Sequence, residues 1–210
     1  MSAEIEPGGA GGQQAPAAVH AGARPPTWRA YVDLLRTCDC AGSDRLTGAA
    51  LWWMAVRPCV FPMTAIAVLI GVLLAMRDGA VDGGAAARAA LVLLGALAAH
   101  AGNNLLNDYI DVAEGVDRAG SFRGAYAPHP ILSGQLTPRQ VLIGTGVLHA
   151  IDLIVLALLV AAVGWGVAAF ALVGLGLSVA YVAPPLSFKR RGLGELTAAV
   201  VWGPLMVASA

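Results

Sequence analysis

The chain has 210 residues, of which 58% are hydrophobic and 12% charged, and its mean hydropathy is +0.71. This composition excludes an ordinary soluble domain and favours a protein embedded in a bilayer. Lysine and arginine together number 13, as do aspartate and glutamate, so the net charge is zero and the charge balance gives no sign of a nucleic-acid partner.

The N-terminal part of the chain divides into two segments. Residues 1–26 are rich in alanine, glycine and proline and lack the apolar core of a signal peptide, which predicts a disordered tail. Residues 27–48 begin with an amphipathic stretch. One helical face of that stretch carries Trp28, Tyr31, Leu34 and Leu35. The pattern fits a helix at the membrane surface, and it fits a solvated linker helix equally well.

The chain contains three cysteines, which is an odd number: Cys38, Cys40 and Cys59. Cys38 and Cys40 have no second pair at the spacing of a zinc site. We therefore expect reduced thiols that have no structural role.

Residues 49–210 carry long apolar stretches. A bilayer crossing needs roughly 20 mostly apolar residues, and neither 58–76 nor 89–107 contains a charge. The run 153–188 exceeds one crossing, and Gly164-Trp165-Gly166 offers a turn within it. The predicted fold class is all-α, a polytopic transmembrane helical bundle. Its five predicted spans lie at about 55–76, 88–108, 140–162, 166–184 and 193–210.

The basic residues predict the orientation of these spans. Eleven lie on one side: Arg24, Arg29, Arg36, Arg45, Arg57, Arg118, Arg123, Arg139, Lys189, Arg190 and Arg191. Only Arg77 and Arg88 lie on the other side. We expect a multi-pass protein of the inner cell membrane, with its N-terminus and both basic loops in the cytoplasm.

The second predicted span ends in a dense group of polar side chains. Residues three or four apart share a helical face, and one such stripe comprises His100, Asn104, Asn107, Asp108 and Asp111, with Asp117 just beyond. The carboxylate and amide oxygens of this stripe suit a Mg²⁺ ion that bridges to phosphate. The alternative is a helix that simply ends in a polar loop, but the helix dipole disfavours acidic groups at a C-terminus.

Basic residues follow the acidic stripe on the same side of the membrane. The loop from Arg118 to Arg139 also contains Arg123 and His129, and Lys189-Arg190-Arg191 lies after the fourth span. Arginine matches phosphate oxygens with two hydrogen bonds. These residues therefore fit a phosphate clamp, although they also fit simple anchors of membrane topology.

One further carboxylate, Asp152, lies in the middle of the third predicted span. It can face the interior of the bundle beside His149. A hydrogen bond to a neighbouring helix is the favoured role for it, and binding of a hydroxyl group on a substrate is the alternative.

Four segments of the chain together carry a family resemblance. They are Arg57-Pro58 with Phe61-Pro62, the motif Asn107-Asp108-x-x-Asp111 with Gly115-Val116-Asp117, Pro130-Ile131-Leu132-Ser133-Gly134-Gln135-Leu136-Thr137, and Tyr181 to Pro204. In this order they resemble the UbiA superfamily of intramembrane prenyltransferases. The last segment is most similar to the menaquinone-pathway branch, which prenylates dihydroxynaphthoate.

The resemblance implies Mg²⁺-dependent transfer of a polyprenyl group from polyprenyl diphosphate to an aromatic acceptor. Dihydroxynaphthoate is favoured as the acceptor, and 4-hydroxybenzoate is the alternative. The implied roles are catalysis for Asn107, Asp108 and Asp111, metal binding for Asp108, Asp111 and Asp117, diphosphate binding for Arg118, Arg123, Lys189 and Arg190, and substrate binding for Asn104, His100, Arg57 and Tyr181. The apolar bundle would house the prenyl tail and exclude water from an allylic cation.

The chain departs from the family pattern at its C-terminal end. Family members have about nine helices and a second aspartate-rich motif, whereas this sequence ends at Ala210 within the fifth predicted span. We expect residues 49–210 to be the N-terminal part of such a bundle. A non-catalytic or transport protein of the membrane remains the alternative for a chain of this length.

Overall fold

The computed structural model describes residues 27–40, 42, 43, 46–79, 82–118, 121 and 128–210. The predicted tail at residues 1–26 and the predicted diphosphate ligand Arg123 lie outside these described residues.

The described chain is helical, and it contains no strand within those residues. The helices are α1 (Trp28–Thr37), α2 (Gly48–Ala55), α3 (Phe61–Arg77), α4 (Ala85–Ala113), α5 (Pro138–Val163), α6 (Gly166–Val182), α7 (Gly194–Val200) and α8 (Met206–Ser209). Short 3₁₀ turns at Pro58–Val60 and Phe188–Arg191 precede α3 and α7, and a π turn at Val201–Leu205 joins α7 to α8. The predicted all-α class is confirmed.

Three helical segments are long and apolar enough to cross a membrane: Pro58–Arg77, Ala85–Ala113 and Pro138–Val163. They coincide with the first three predicted spans. The fourth and fifth predicted spans are present as shorter apolar segments, Gly166–Val182 and Gly194–Ser209. Together these helices make the protein a membrane protein.

The last segment is broken, whereas the sequence predicts one span at 193–210. Gly203 leaves the helical region with φ −83° and ψ −110°, immediately before Pro204. Proline lacks the N–H group that would continue the helix and its ring clashes with the preceding turn. The kink therefore has a local cause in the sequence.

Helices α1 and α2 pack against one end of the bundle. Leu34 of α1 is fully buried, and it shares a cluster with Ala50 of α2, Leu105 of α4 and Val141 of α5. Trp28 remains exposed on α1. Since Leu105 lies one turn before Asp108, this apolar cluster sits beside the acidic end of α4 and supports it.

The cysteine prediction was wrong for two of the three residues. Cys38 and Cys59 form a disulfide, with a Cα–Cα distance of 5.2 Å, and Cys40 is free. Cys38 caps α1 in the left-handed conformation, with φ 60°, and α1 packs on the turn that contains Cys59. This pairing of residues 21 positions apart arises from tertiary packing, which cysteine spacing alone does not reveal.

The contact between α4 and α5 is the most extensive in the bundle, and glycines make it close. A Cβ atom on Gly102 of α4 would collide with the imidazole of His149 on α5, and one on Gly144 of α5 would lie 3.2 Å from Leu105 Cδ1 of α4 and 2.6 Å from the Trp52 ring of α2. Small residues allow membrane helices to approach closely where no hydrophobic force drives them together. This contact fixes the positions of the polar side chains on α4 and α5.

Candidate active site

The acidic side chains of the candidate site come from the last two turns of α4 and the bend that follows. Gly115 adopts a positive φ of 67°, which ends the helix and reverses the chain. The backbone N–H groups of Val116 and Asp117 then both donate to the Asp111 carbonyl oxygen, at 2.8 and 2.9 Å. The bend therefore returns Asp117 to the side of α4 that carries Asp108.

All three aspartates are buried, whereas the side chains at a solvated loop end would be exposed. Asp108 is 0% exposed, Asp111 5% and Asp117 7%. Taking carboxylates out of water is costly unless cations or hydrogen-bond donors accompany them. The surrounding residues supply both.

Arg57 is the partner of Asp108. Its Nη2 atom donates to Asp108 Oδ1 in an ion pair. Arg57 has a positive φ of 56° at the junction of α2 and the turn that starts with Pro58. Few residues other than glycine adopt this conformation, and it often marks a functional position. Arg57, which was predicted to bind substrate, is therefore in direct contact with Asp108, which was predicted to bind the metal ion.

Lys189 is the partner of Asp111. Its Nζ atom forms an ion pair with Asp111 Oδ2 and donates to Asn107 Oδ1 at 2.9 Å. The 3₁₀ turn that contains Lys189 follows Ser187, which also has a positive φ of 42°. One lysine thus joins the end of α4 to the loop after α6.

Arg190 extends the basic side of the site to the surface. Its Nη2 atom donates to Glu114 Oε2 at 2.9 Å and to Ser187 Oγ at 3.1 Å. Both Arg190 and Glu114 are exposed. Arg118 is also exposed, one residue beyond Asp117.

His129 also belongs to this site, although the sequence placed it only in the basic loop and not among the predicted metal or catalytic residues. It is 3% exposed, and its Nδ1 atom accepts hydrogen bonds from the backbone N–H groups of Ile131 and Leu132, both at 3.3 Å. A neutral imidazole with an accepting Nδ1 carries its proton on Nε2. That nitrogen faces Asp117 Oδ2 at 3.5 Å and Asp108 Oδ1 at 3.8 Å.

The carboxylates fit a divalent metal ion. One oxygen each from Asp108 and Asp117 and one nitrogen from His129 all lie within 4.8 Å of one another. Carboxylate oxygens are the ligands that Mg²⁺ prefers. The proton on His129 Nε2 makes that atom a donor, so the oxygen atoms are the better ligands of this group.

Two of the predicted substrate ligands serve packing within the bundle. Asn104 Nδ2 donates to the Val56 carbonyl oxygen at 2.9 Å, at the end of α2. His100 Nδ1 pairs with Thr64 Oγ1 at 2.7 Å, and that hydroxyl accepts from Trp202 Nε1 at 3.0 Å. These bonds tie α4 to α2, to α3 and to the kinked last segment.

The remaining predicted ligand, Tyr181, is half-buried near the end of α6. Its hydroxyl lies close to Gly194, at the start of α7.

A cavity lies among the helices, and the residues of α4 that line it run from Val92 to Asn103, ahead of the acidic residues. Its volume is about 140 Å³, and α4, α5, α6 and the C-terminal segment form its walls. Most of the lining is apolar. The polar side chains in the lining include His100, Asn103, His149, Asp152 and Ser178.

The model of the UbiA prenyltransferase family matches residues 64–210, which include most of α3, all of α4 to α8 and the acidic group at the end of α4. No curated protein and no solved structure matches the chain.

Proposed function

The chain belongs to the UbiA prenyltransferase family, whose members transfer prenyl groups to aromatic acceptors in membranes, and we propose that it transfers a polyprenyl group from polyprenyl diphosphate to an aromatic quinone precursor. The observation that supports this most directly is the buried carboxylate group beside Arg57 and Lys189. Acidic and basic side chains in contact at a membrane boundary suit an anionic ligand held through a metal ion.

Asp108, Asp111 and Asp117 would hold Mg²⁺, as aspartate-rich motifs generally do in this family. The bound ion would neutralise charge on the diphosphate as it leaves. Asn107 supports this set indirectly, because its side-chain oxygen holds the Lys189 ammonium at 2.9 Å.

Lys189 and Arg57 act on the same leaving group. Both cations already reach the edge of the carboxylate group, so each can donate to diphosphate oxygens placed there. Arg190, Arg118 and Arg123 supply further positive charge toward the cytoplasm. Positive charge that is placed where negative charge develops lowers the barrier to bond cleavage.

The transfer then proceeds by substitution on the aromatic ring. The C–O bond between the prenyl carbon and diphosphate breaks, and its electron pair leaves with the diphosphate. A ring carbon attacks the allylic cation and forms the new C–C bond. The same ring carbon loses its proton to a diphosphate oxygen, which restores the aromatic ring. Exclusion of water by the apolar bundle protects the cation.

Sequence patterns support a choice of aromatic acceptor and an orientation of the protein in the membrane. Similarity of the segment from Tyr181 to Pro204 to the menaquinone-pathway branch favours dihydroxynaphthoate, and 4-hydroxybenzoate is the alternative. The excess of basic residues beside the aspartates favours a site on the cytoplasmic side of the inner membrane.

The direct test is a transfer assay. Membranes that contain the chain receive labelled polyprenyl diphosphate, each acceptor in turn and Mg²⁺, and the lipid-soluble product is counted. Asp108→Asn should abolish the product. Asp82→Asn is the matched control, because Asp82 is an exposed aspartate at the opposite end of α4, paired with Arg88 at 2.8 Å. Equal turnover by Asp108→Asn and wild type would rule out the metal-binding role.

A further inference from the structure

His129 approaches the carboxylates from a segment that the transfer chemistry above does not use. It lies at the start of the turn that precedes α5, and it is 3% exposed. The turn is tied to the rest of the protein. Leu136 is buried in the apolar cluster beside α4, and its N–H group donates to the Pro130 carbonyl oxygen at 2.9 Å. The Gln135 side chain donates to the Ser43 carbonyl oxygen at 2.8 Å. The backbone that carries His129 is therefore held in place.

The turn also fixes the tautomer of the His129 ring. Nδ1 accepts hydrogen bonds from the backbone N–H groups of Ile131 and Leu132, both at 3.3 Å. A nitrogen that accepts carries no proton, so the proton of the neutral ring lies on Nε2. The other tautomer would set an N–H group against two N–H groups of the backbone. The protein therefore holds Nε2 as a donor.

This donor lies near two carboxylates that belong to different segments. His129 Nε2 is 3.5 Å from Asp117 Oδ2, in the bend after α4, and 3.8 Å from Asp108 Oδ1, on α4 itself. Both carboxylates are buried, and like charges repel each other strongly where water is excluded. An N–H dipole that attracts both groups offsets part of this repulsion. It therefore helps to keep Asp117 beside Asp108.

The same geometry disfavours His129 as a ligand of the metal ion. Mg²⁺ prefers oxygen ligands, and a protonated ring nitrogen has no lone pair to offer. Ligation through Nε2 would require the proton to move to Nδ1, where Ile131 and Leu132 already donate. Carboxylates that bind a metal ion are commonly oriented by hydrogen-bonding groups that do not touch the ion. His129 has the properties of such a group.

We propose that His129 is a positioning residue, which holds Asp108 and Asp117 in place for Mg²⁺ through Nε2–H and does not bind the ion itself. The proposal rests on the proposed function, since it concerns the metal site of that reaction. The two ring nitrogens then have separable roles. The donor at Nε2 sets the affinity for the metal ion, whereas the acceptor at Nδ1 stabilises the turn.

Two variants separate these roles. The amide of His129→Gln reaches the position of Nε2 with a donor but leaves the backbone N–H groups without their acceptor. The amide of His129→Asn supplies an acceptor at the position of Nδ1 but does not reach the carboxylates. The full 210-residue chain in nanodiscs is titrated with Mn²⁺, which stands in for Mg²⁺, and electron paramagnetic resonance counts the free ion.

We expect His129→Asn to weaken Mn²⁺ binding by about 10–100-fold, and His129→Gln to keep most of the affinity. Thermal unfolding should give the reverse order, with His129→Gln the less stable variant. Leu132→Ala is the matched control, because its side chain is exposed and its backbone N–H still donates to His129. It should leave the affinity unchanged.

A loss of affinity in His129→Gln that equals or exceeds the loss in His129→Asn would overturn the proposal, because affinity would then follow the turn and not the donor. A second measurement uses the wild-type chain alone and does not depend on whether any variant folds. The electron spin echo of bound Mn²⁺ should show no coupling to a directly bound imidazole nitrogen. Such a coupling would make His129 a ligand and would also overturn the proposal.

The titration separates this proposal from the proposed function. A wild-type chain that binds no Mn²⁺ would overturn both, since the reaction and the positioning role each require the metal site. Binding by the wild type that neither substitution of His129 changes would remove the positioning role alone and leave the transferase in place.

Discussion

The guanidinium of Arg57 lies on the fully buried carboxylate of Asp108, although 51 residues separate the two in sequence. The pair joins the segment before the first span to the end of the second. Removal of one member of a buried ion pair leaves an uncompensated charge, which costs about 3–5 kcal/mol.

Arg57→Met should therefore lower the free energy of unfolding by about 3 kcal/mol or more. The double variant Arg57→Met/Asp108→Asn should recover much of that loss, because it no longer buries a carboxylate that has lost its guanidinium partner. Thermal unfolding of the wild type, both single variants and the double variant in detergent gives the coupling energy. Strictly additive effects would show that the two side chains do not interact.

Substitution of Lys189 tests its proposed contact with the diphosphate of the prenyl donor. Lys189→Met removes an ammonium group from Asp111 and Asn107, and kcat/KM for the prenyl donor should fall by about 10²–10³-fold. The neighbouring Arg191→Met is the matched control, since Arg191 donates to the Pro185 carbonyl oxygen at 2.7 Å and forms no ion pair with a carboxylate in the described part of the chain. A similar loss in both variants would point to general charge at the surface rather than to a specific contact.

Substitution of Gly102 tests the close contact between α4 and α5. Gly102→Ala places a methyl group against His149, so it should lower the free energy of unfolding by about 1–3 kcal/mol. Gly146 lies one turn before His149, and a Cβ atom there meets nothing within 4 Å. Gly146→Ala should be neutral or slightly stabilising in the same melting experiment. Equal melting temperatures for the two variants would argue against the contact.

The number of free thiols tests the Cys38–Cys59 disulfide directly. Alkylation of the unfolded chain without reductant should modify one thiol, that of Cys40, and alkylation after reduction should modify three, as read by mass spectrometry. Closure of a loop this long stabilises a fold by about 3 kcal/mol, so Cys59→Ser should lower the melting temperature. Three modified thiols before reduction would instead support the prediction made from the sequence.

Cys40 provides a pH-dependent signal outside the membrane spans. Burial raises the pKa of its thiol, and the carboxylates of Asp39 and Asp33 raise it further. A raised pKa leaves less thiolate at a given pH, so alkylation by iodoacetamide should be slow near neutrality. The rate should continue to rise at pH values where an ordinary thiol has reached its plateau.

The control for Cys40 is the same chain in denaturant, where burial is lost and the rate profile should shift to lower pH. Asp39→Asn should shift the profile of the folded chain part of the way, because burial remains. A folded profile identical to the denatured one would contradict the structure around Cys40.

The sequence predicts those features that depend on helical periodicity. Asn107, Asp108 and Asp111 share one face because a single helix carries them, and the apolar runs predict α3, α4 and α5 because span length is set by the bilayer. The family was also predicted, because the four motifs that carry it lie in the right order along the chain.

Other features depend on packing between distant segments. The contact of Arg57 with Asp108, the approach of His129 to the carboxylates and the Cys38–Cys59 bond each join different elements. A partial signal exists for His129, since Pro128 and Pro130 restrict the backbone on both sides of a histidine that follows the acidic motif. Asn103 and His149 line the same cavity only because α4 and α5 pack against each other.

The Cys38–Cys59 bond has a mechanical consequence for the amphipathic helix α1. The covalent ring that it closes contains Arg57, which is two residues from Cys59 and holds Asp108. A displacement of α1 relative to the rest of the bundle is thereby coupled, through one closed loop of chain, to the position of a buried carboxylate.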